Sequence, residues 1–367
     1  MARLFHIQDS LQRFFRFLSP RPTPPQGVLL VSAGGLGDTV LFSLVLPHFM
    51  EMAHAGEQVT VLLRSDAAKM AFLLPSTVTL KAVDFSRFRK SLSYRRKVCG
   101  DLYRKNYRLV ISTDHLRHPD LDEALIAAAA AAETAAMEPR SWPKHDAALK
   151  LCRTLYSRLF DSGPDRTDKV LRWTHFANWL SGEQRPAPKV HIANISKAPP
   201  STDIYIQPFS AVKGKQPSPG FFRDVITALP EGTTVAITGS PGDMDRCPDY
   251  RELLTLPGVS FDSSGFVDLA PKLKAARLVI SVDTALMHLA AATGAPTLCL
   301  ASAAYVGEIV PYTPEVAPEN VRFIYKSMDC EGCLGACIHP PENGMYRCVA
   351  GIDKDATIKA VLDMLDN

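Results

Sequence analysis

Long apolar runs are missing from this chain. The longest, Ala124 to Ala132, has nine residues and is nearly all alanine, half of the roughly 18 that a membrane-spanning helix needs, so no such helix is expected. A secretory leader is not evident either. The opening residues MARLFHIQDSLQRFFRF break their apolar positions with Arg3, Asp9, Arg13 and Arg16, which leaves no continuous hydrophobic centre and points to a cytoplasmic chain. Charge of one sign is not in excess: 41 Lys and Arg against 38 Asp and Glu give +3. That small balance, with no recognised nucleic-acid module, argues against a nucleic-acid partner. Eight cysteines in 367 residues are too few for a disulfide scaffold, and Cys99, Cys152, Cys247 and Cys299 are scattered as buried thiols would be.

What is present is a repeated alternation of strand and helix signals. Residues 1–25 hold four arginines against Asp9 and read as an amphipathic basic arm. Leu4, Phe5, Ile7, Leu11, Phe14, Phe15, Phe17 and Leu18 oppose the arginines, and the breaker SPRPTPP (19–25) follows. The arm either packs on the protein or a partner chain, or rests on an anionic membrane surface. Strands are expected at 27–32, 59–63, 79–83 and 109–112 in one half, and at 204–207, 234–238, 259–261, 278–282 and 297–300 in the other. In the second half, helices are expected near 219–229, 266–275 and 284–293. A proline-rich polar stretch, 181–202, reads as a linker between two α/β domains, 26–180 and 203–352, with a closing helix at 353–367. The alanine tract 124–136 reads as a closely packed helix.

Three strand ends in the second half carry groups that complement one nucleotide diphosphate, and a glycine-rich loop follows the first strand of the chain. After the first strand, AGGLGD (33–38) lets backbone approach a ligand through Gly34, Gly35 and Gly37, but its spacing fits neither G-x-G-x-x-G nor a P-loop. Asp38 is then either a helix-capping carboxylate or a general base. In the second half, RLVISVDTALMHLAAATGAP (277–296) ends a strand at Asp283 and opens a helix at Thr284. Gly294 and Pro296 close that helix, whose start suits a diphosphate. His288 lies one turn on, as a second ligand contact or a packed core residue. The lysine loop PFSAVKGKQP (208–217) and TGSPGDMD (238–245) add Lys213, Lys215 and Asp243, the last placed for a ribose hydroxyl pair.

Taken in order, VLLVSAGGLGDTVLF (28–42), DKVLRWTHFANWLSG (168–182), the lysine loop, VDTALMHLAAATGAP (282–296) and CVAGI (348–352) resemble glycosyltransferase family 9, the ADP-heptose:lipopolysaccharide heptosyltransferases and their relatives. The resemblance implies the GT-B fold: two Rossmann-like doubly wound domains facing a central cleft, acceptor on the first and nucleotide sugar on the second. It implies an inverting transfer with Asp38 as base and no catalytic cofactor. The donor, ADP-heptose by this likeness, would be held by Ser210, Lys215 (or Lys213 in another alignment of the loop), Asp243, Asp283, Thr284, Ala285, Leu286 and His288. The acceptor would be a cell-envelope glycan or an anionic glycolipid such as the lipopolysaccharide core, met at the inner face of the cytoplasmic membrane. A protein acceptor (an autotransporter adhesin) and a catalytically degenerate nucleotide-binding module are the alternatives. The chain departs from the family pattern at Ala285, where D-T-G is usual, at Ala301-Ser302-Ala303, where G-P-T is usual, and in the late position of Pro47.

Cys330, Cys333, Cys337 and Cys348 fall at C-x2-C-x3-C-x10-C, close enough to share one tetrahedral Zn or Fe as a structural site. Packed free thiols and disulfides are the other readings, and the resemblance adds that one protein-modifying branch of the family holds iron with four such cysteines. From Arg87 to Arg108 nine Lys and Arg residues face a single acid, Asp101, among Tyr94, Tyr103 and Tyr107. This patch is either a solvated helical face or a surface for a phosphorylated glycolipid or its membrane.

Overall fold

A computed structural model describes residues 2–17, 21 and 23–366. The chain divides into two compact units, Met1–Asp165 with Arg172–Pro186, and Arg166–Leu171 with Ala187–Asn367. The first unit opens with α1 (Ala2–Phe17), then β1 (Val28–Ser32), α2 (Leu36–Met50), β2 (Val59–Arg64), β3 (Thr79–Val83), α3 (Phe85–Lys90) and α4 (Leu92–Lys105). It continues with β4 (Leu109–Ser112), α5 (Asp122–Ala129), β5 (Glu133–Met137), α6 (Asp146–Cys152), β6 (Arg158–Phe160) and α7 (Lys169–Ser181), whose first residues belong to the second unit. Its sheet runs β3-β2-β1-β4-β5-β6, and every pairing is parallel.

The second unit repeats the plan with β7 (Ile204–Gln207), α8 (Pro219–Thr227), β8 (Val235–Thr238), α9 (Asp243–Arg246), β9 (Val259–Asp262), α10 (Phe266–Ala275) and β10 (Leu278–Val282). After these come α11 (Ala285–Thr293), β11 (Thr297–Leu300), β12 (Val321–Ile324), α12 (Arg347–Ala350) and α13 (Lys354–Leu365). The sheet order, β12-β11-β10-β7-β8-β9, is the first sheet's order read from the other edge. Both are doubly wound Rossmann-like sheets, as expected. Central strands such as β1, β4 and β10 are buried along their whole length, which is why they read as near-continuous apolar runs.

The alanine tract corrects the sequence reading. It is not one helix: α5 ends at Ala130, whose φ of 47° is left-handed, and the chain turns into β5, where Ala135 and Ala136 are fully buried between β4 and β6. Alanine's helix preference yields here to the small cross-section an interior strand needs. The short edge strands β6 and β12 were also not expected.

Helix α1 packs on its own unit. Phe5 is buried, and Asp9 forms a bidentate pair with the guanidinium of Arg95, which is 2% exposed and also lies over the Phe5 and Phe88 rings. Ile7, Leu11 and Phe14, spaced along one face, point outward. Arg21 continues the attachment, with its guanidinium over the Tyr103 ring and bonded to Asn106 and Ala130. The expected arm residues Leu18, Ser19, Pro20 and Pro22, and the side chains of Arg3, Leu4, Arg13, Phe15, Arg16 and Phe17, lie outside what is described. The basic stretch 87–108 is partly spent inside the fold: Arg95 on Asp9, Arg104 on Asp101, and Arg108 on Glu57.

Glu57 joins three segments. Its carboxylate accepts from Arg108 at 2.6 and 2.8 Å, from the Gly27 amide at 3.0 Å and from the His54 amide at 2.9 Å. The Arg108 bonds hold its carboxyl down at about 2 against the opposing effect of burial. A carboxylate with a depressed folded pKa contributes stability above its unfolded value and loses it as pH falls through the folded one. We expect urea unfolding to show about 3 kcal/mol lost between roughly pH 4.5 and 2 through this group. Glu57→Gln should be less stable at pH 7 and lack that part of the acid limb; an unchanged acid limb in the variant would contradict the assignment.

Candidate functional site

In a sheet of this order, the loops after the first and fourth strands run to opposite sides and leave a crevice between them at the carboxyl edge. In the second unit those strands are β7 and β10. The loop after β7 carries Ser210, Lys213 and Lys215, and β10 delivers Asp283 and Thr284. They meet: Lys215 Nζ lies 3.0 Å from Asp283 Oδ1, 3.2 Å from the Asp283 carbonyl and 4.2 Å from the centre of the Tyr305 ring. Asp283 is buried, and Ser302 Oγ donates to its Oδ2 at 3.1 Å. Burial pushes the Asp283 carboxyl up, opposed by the Lys215 charge and the Ser302 bond. Of the two loop lysines, Lys215 therefore stands at the crevice, and Lys213 is exposed to solvent. Gln216 braces the loop by donating to the Ser210 carbonyl, and Ser210 Oγ accepts from the Val212 amide.

Helix α11 starts beside Lys215. Thr284 occupies the N-cap position, but its hydroxyl makes no capping bond and lies 3.5 Å from Ser281 Oγ. Ala285 is half-buried at the first turn, while the Leu286 side chain is in the core. Gly294, at φ 85°, closes the helix. Lys215 and the positive end of the α11 dipole together suit two or more negative charges on one ligand. His288 is buried, with Nδ1 2.6 Å from the Tyr312 hydroxyl. At the neighbouring strand end, Asp243 opens α9, accepts from the Ser240 amide and pairs with Arg246. A side chain on Gly239 would strike Phe209 and the Asp243 carboxylate, so the backbone passes close there.

The first unit has the same crevice between β1 and β4. Asp38 sits in the first turn of α2 and accepts from the Gly35 amide at 2.7 Å, so the capping role is real. A Cβ at Gly34 would come within 2.5 Å of the Asp38 Cβ, which makes glycine there a steric requirement; Gly35 and Gly37 complete the half-exposed loop. The residues after β4 were not anticipated. Asp114 accepts from the Ala33 amide at 2.5 Å and thereby ties this strand end to the glycine loop. Asp122 is buried with one oxygen on the His118 amide and the other, Oδ1, without a hydrogen bond. The His118 ring lies 4.4 Å from His145 and 5.7 Å from Trp142, centre to centre. The signal that was available is the sequence Thr113-Asp-His115 directly after a central strand, at the same sheet edge as the glycine loop.

Cys330, Cys333 and Cys337 bring their sulfurs within 4.8 Å of one another. The Cys330 and Cys337 sulfurs are 4.0 Å apart, near the roughly 3.8 Å separation that 2.3 Å bonds to one tetrahedral ion imply. The donor set fits a thiophilic cation. Cys348 lies outside this group, buried in α12 with the core. Asp329 and His339, bonded at 2.6 Å, form a second group of three with Cys330, a set the cysteine spacing does not reveal.

Residues 264–330 match glycosyltransferase family 9 (heptosyltransferase). No curated protein matches the chain in sequence. Among solved structures, a family 9 glycosyl transferase from Veillonella parvula superimposes with a TM-score of 0.70 at 18% identity, covering 93% of this chain and 97% of that one. E. coli heptosyltransferase WaaC with ADP gives 0.62 at 18% identity, over 94% and 99%. The iron-containing dodecameric glycosyltransferase TibC of enterotoxigenic E. coli gives 0.54 at 13% identity, over 95% and 77%. The fold is of the GT-B type, as in these structures. The resemblance to family 9 is found twice, in the segment that holds β10 and α11 and in the architecture of both units.

Asp122 offers a test of the first crevice. Burial, aided by the nearby Asp114 charge, pushes its carboxyl up to about 7. A carboxyl with a raised folded pKa gives its full stability below the unfolded value and loses it as pH rises through the folded one. Asp122→Asn keeps an acceptor for His118 and removes the ionisation. Its stability relative to the parent should therefore improve from pH 4 to pH 7, by more than about 1 kcal/mol, and then level off. Denaturant melts showing a constant difference across that range would contradict a buried, titrating Asp122.

Proposed function

We propose that this protein is an inverting glycosyltransferase that moves a heptose from ADP-heptose to a hydroxyl of an anionic cell-envelope glycan, the lipopolysaccharide core being the favoured acceptor. The observation that carries the reading is the meeting of Lys215, Asp283 and the start of α11 at the crevice of the second sheet. WaaC, similar in fold, is described with ADP, and a diphosphate is the ligand that a lysine beside a helix N-terminus favours. Asp38 would take the acceptor hydroxyl proton as that oxygen bonds to the anomeric carbon. The carbon–phosphate-oxygen bond breaks, and the nucleoside diphosphate leaves with its new charge on Lys215 and the α11 dipole. Asp243 would contact the ribose, and Ser210, Thr284 and Ala285 would line the donor, with Leu286 and His288, whose side chains are buried, packed behind them. The outward Ile7, Leu11 and Phe14 of α1 would rest on the membrane that presents the acceptor.

A polypeptide acceptor is the second reading, favoured by the cysteine cluster, since iron-containing TibC is similar in fold. Transfer assays with lipopolysaccharide core and with polypeptide acceptors separate the two. A third possibility, a nucleotide-binding module without turnover, is distinguished by the variants. Asp38→Asn should cut turnover about a hundredfold or more and leave donor affinity nearly unchanged, because the side chain keeps its size and loses its basicity. Lys215→Ala should weaken donor binding and turnover together. Calorimetry with ADP-heptose beside the transfer assay reads both. A parent protein that binds donor, transfers to no acceptor and cannot be told from Asp38→Asn would leave only the binding module.

The cysteines would hold one structural Zn or Fe, with Cys330, Cys333 and Cys337 as three ligands and Cys348 as the proposed fourth. Bound there, the ion supplies cross-linking of the 330–348 loop and no open coordination position. Anaerobically prepared protein should contain about one equivalent of metal. Less than roughly a tenth of an equivalent, with the thiols of this loop all titratable, would assign them to packing instead.

A further inference from the structure

The cysteine loop and the lysine loop touch through two tyrosines. Tyr346, two residues before Cys348, donates its backbone N–H to the Gly214 carbonyl at 2.8 Å. Its ring lies so close that a Cβ on Gly214 would meet it at 3.0 Å. Gly214 stands between Lys213 and Lys215. Tyr305 places its ring under the Lys215 ammonium, and the turn before it is gripped by the cysteine loop, with Gly332 N–H on the Ala303 carbonyl at 2.8 Å and Leu334 N–H on the Ala304 carbonyl at 2.7 Å. A Cβ on Gly335, between Cys333 and Cys337, would lie 3.6 Å from the Tyr305 hydroxyl and 3.7 Å from that of Tyr346. Both rings therefore run from the thiol cluster to the residues that fix Lys215.

We infer that Tyr346 and Tyr305 are positioning residues that couple the thiol cluster to the donor lysine, so that a thiophilic divalent cation at Cys330, Cys333 and Cys337 and a nucleoside diphosphate at Lys215 strengthen each other's binding. Closing the 330–348 loop on a cation holds Tyr346 against Gly214 and Tyr305 beneath Lys215. The ordering that the diphosphate would otherwise have to impose is then already in place. The inference rests on the donor reading above, and it adds a dependence that a merely structural ion lacks.

The test uses full-length protein stripped with a chelator and reloaded with Zn2+. ADP affinity is measured by calorimetry with and without Zn2+, and Zn2+ affinity by competition with a chromophoric chelator with and without saturating ADP. We expect Zn2+ to tighten ADP about fivefold or more, and ADP to tighten Zn2+ by the same factor, because coupling is reciprocal. Tyr346→Phe keeps ring and backbone bond and should preserve the factor; Tyr346→Ala should bring it to within twofold of unity with both ligands still bound. Gly214→Ala, which leaves both tyrosines intact and crowds the contact, should also reduce it and serves if the alanine variant at 346 does not fold. Equal ADP affinity in stripped and loaded protein, coupling that survives both Tyr346→Ala and Gly214→Ala, or no Zn2+ binding at all overturns the inference. Absence of ADP binding in either form overturns the donor reading, and the inference with it.

Discussion

In a parallel sheet every strand ends at the same edge, and a connection that crosses to the other face must leave a gap between two strands at that edge. Both sheets of this protein contain that gap once, between β1 and β4 and between β7 and β10. The rest of the chemistry is arranged around it. Gly34 lets the loop after β1 pass close over Asp38, a carboxylate from the fourth strand's end crosses to the loop of the first in each unit, and α2 and α11 start at those edges.

Most of this frame is legible in the residues. Apolar runs bounded by glycine, proline and aspartate mark the buried strands, and β4, β7, β10 and β11 have the limits their patterns suggest, because a strand covered on both faces leaves little choice of residue. The frame fades where burial is partial. β6 and β12 are edge strands with intermediate or exposed residues, and β5 is written in alanine, whose local preference points elsewhere. The candidate site residues divide the same way. Asp38, Lys215 and Asp283 were legible because each stands in a loop or strand end with a recognisable local pattern. Asp114, Asp122 and His118 take their meaning from partners distant along the chain, as Asp114 does from Ala33, 81 positions away. No local pattern contains such a contact.

Buried charge is used with restraint in both units. Arg117 and Glu123 are each 1% exposed and bonded to one another, with the Tyr156 hydroxyl on the same carboxylate. Arg95 has Asp9, and Asp283 has Lys215 with Ser302. Such pairs add little net stability over apolar substitutes, but losing one partner strands the other in a low-dielectric interior. Their value here is geometric. Arg95 fixes α1 on the unit, Arg117 fixes the segment after β4 against β5 through the Met137 carbonyl, and Asp283 fixes the direction of the one loop lysine that faces the crevice.

The crossing carboxylates are also met by different groups in the two crevices. In the first, Asp114 accepts from the Ala33 amide and Asp38 from the Gly35 amide. In the second, the corresponding acid is met by a full positive charge, so the pair is neutral and the helix dipole tips the balance toward accepting an anion. One architecture, used twice, brings a backbone amide to the crossing acid in one sheet and an ammonium in the other. Because Asp283 already holds the Lys215 ammonium beside the start of α11, an anion entering the second crevice meets a cation whose direction is set in advance.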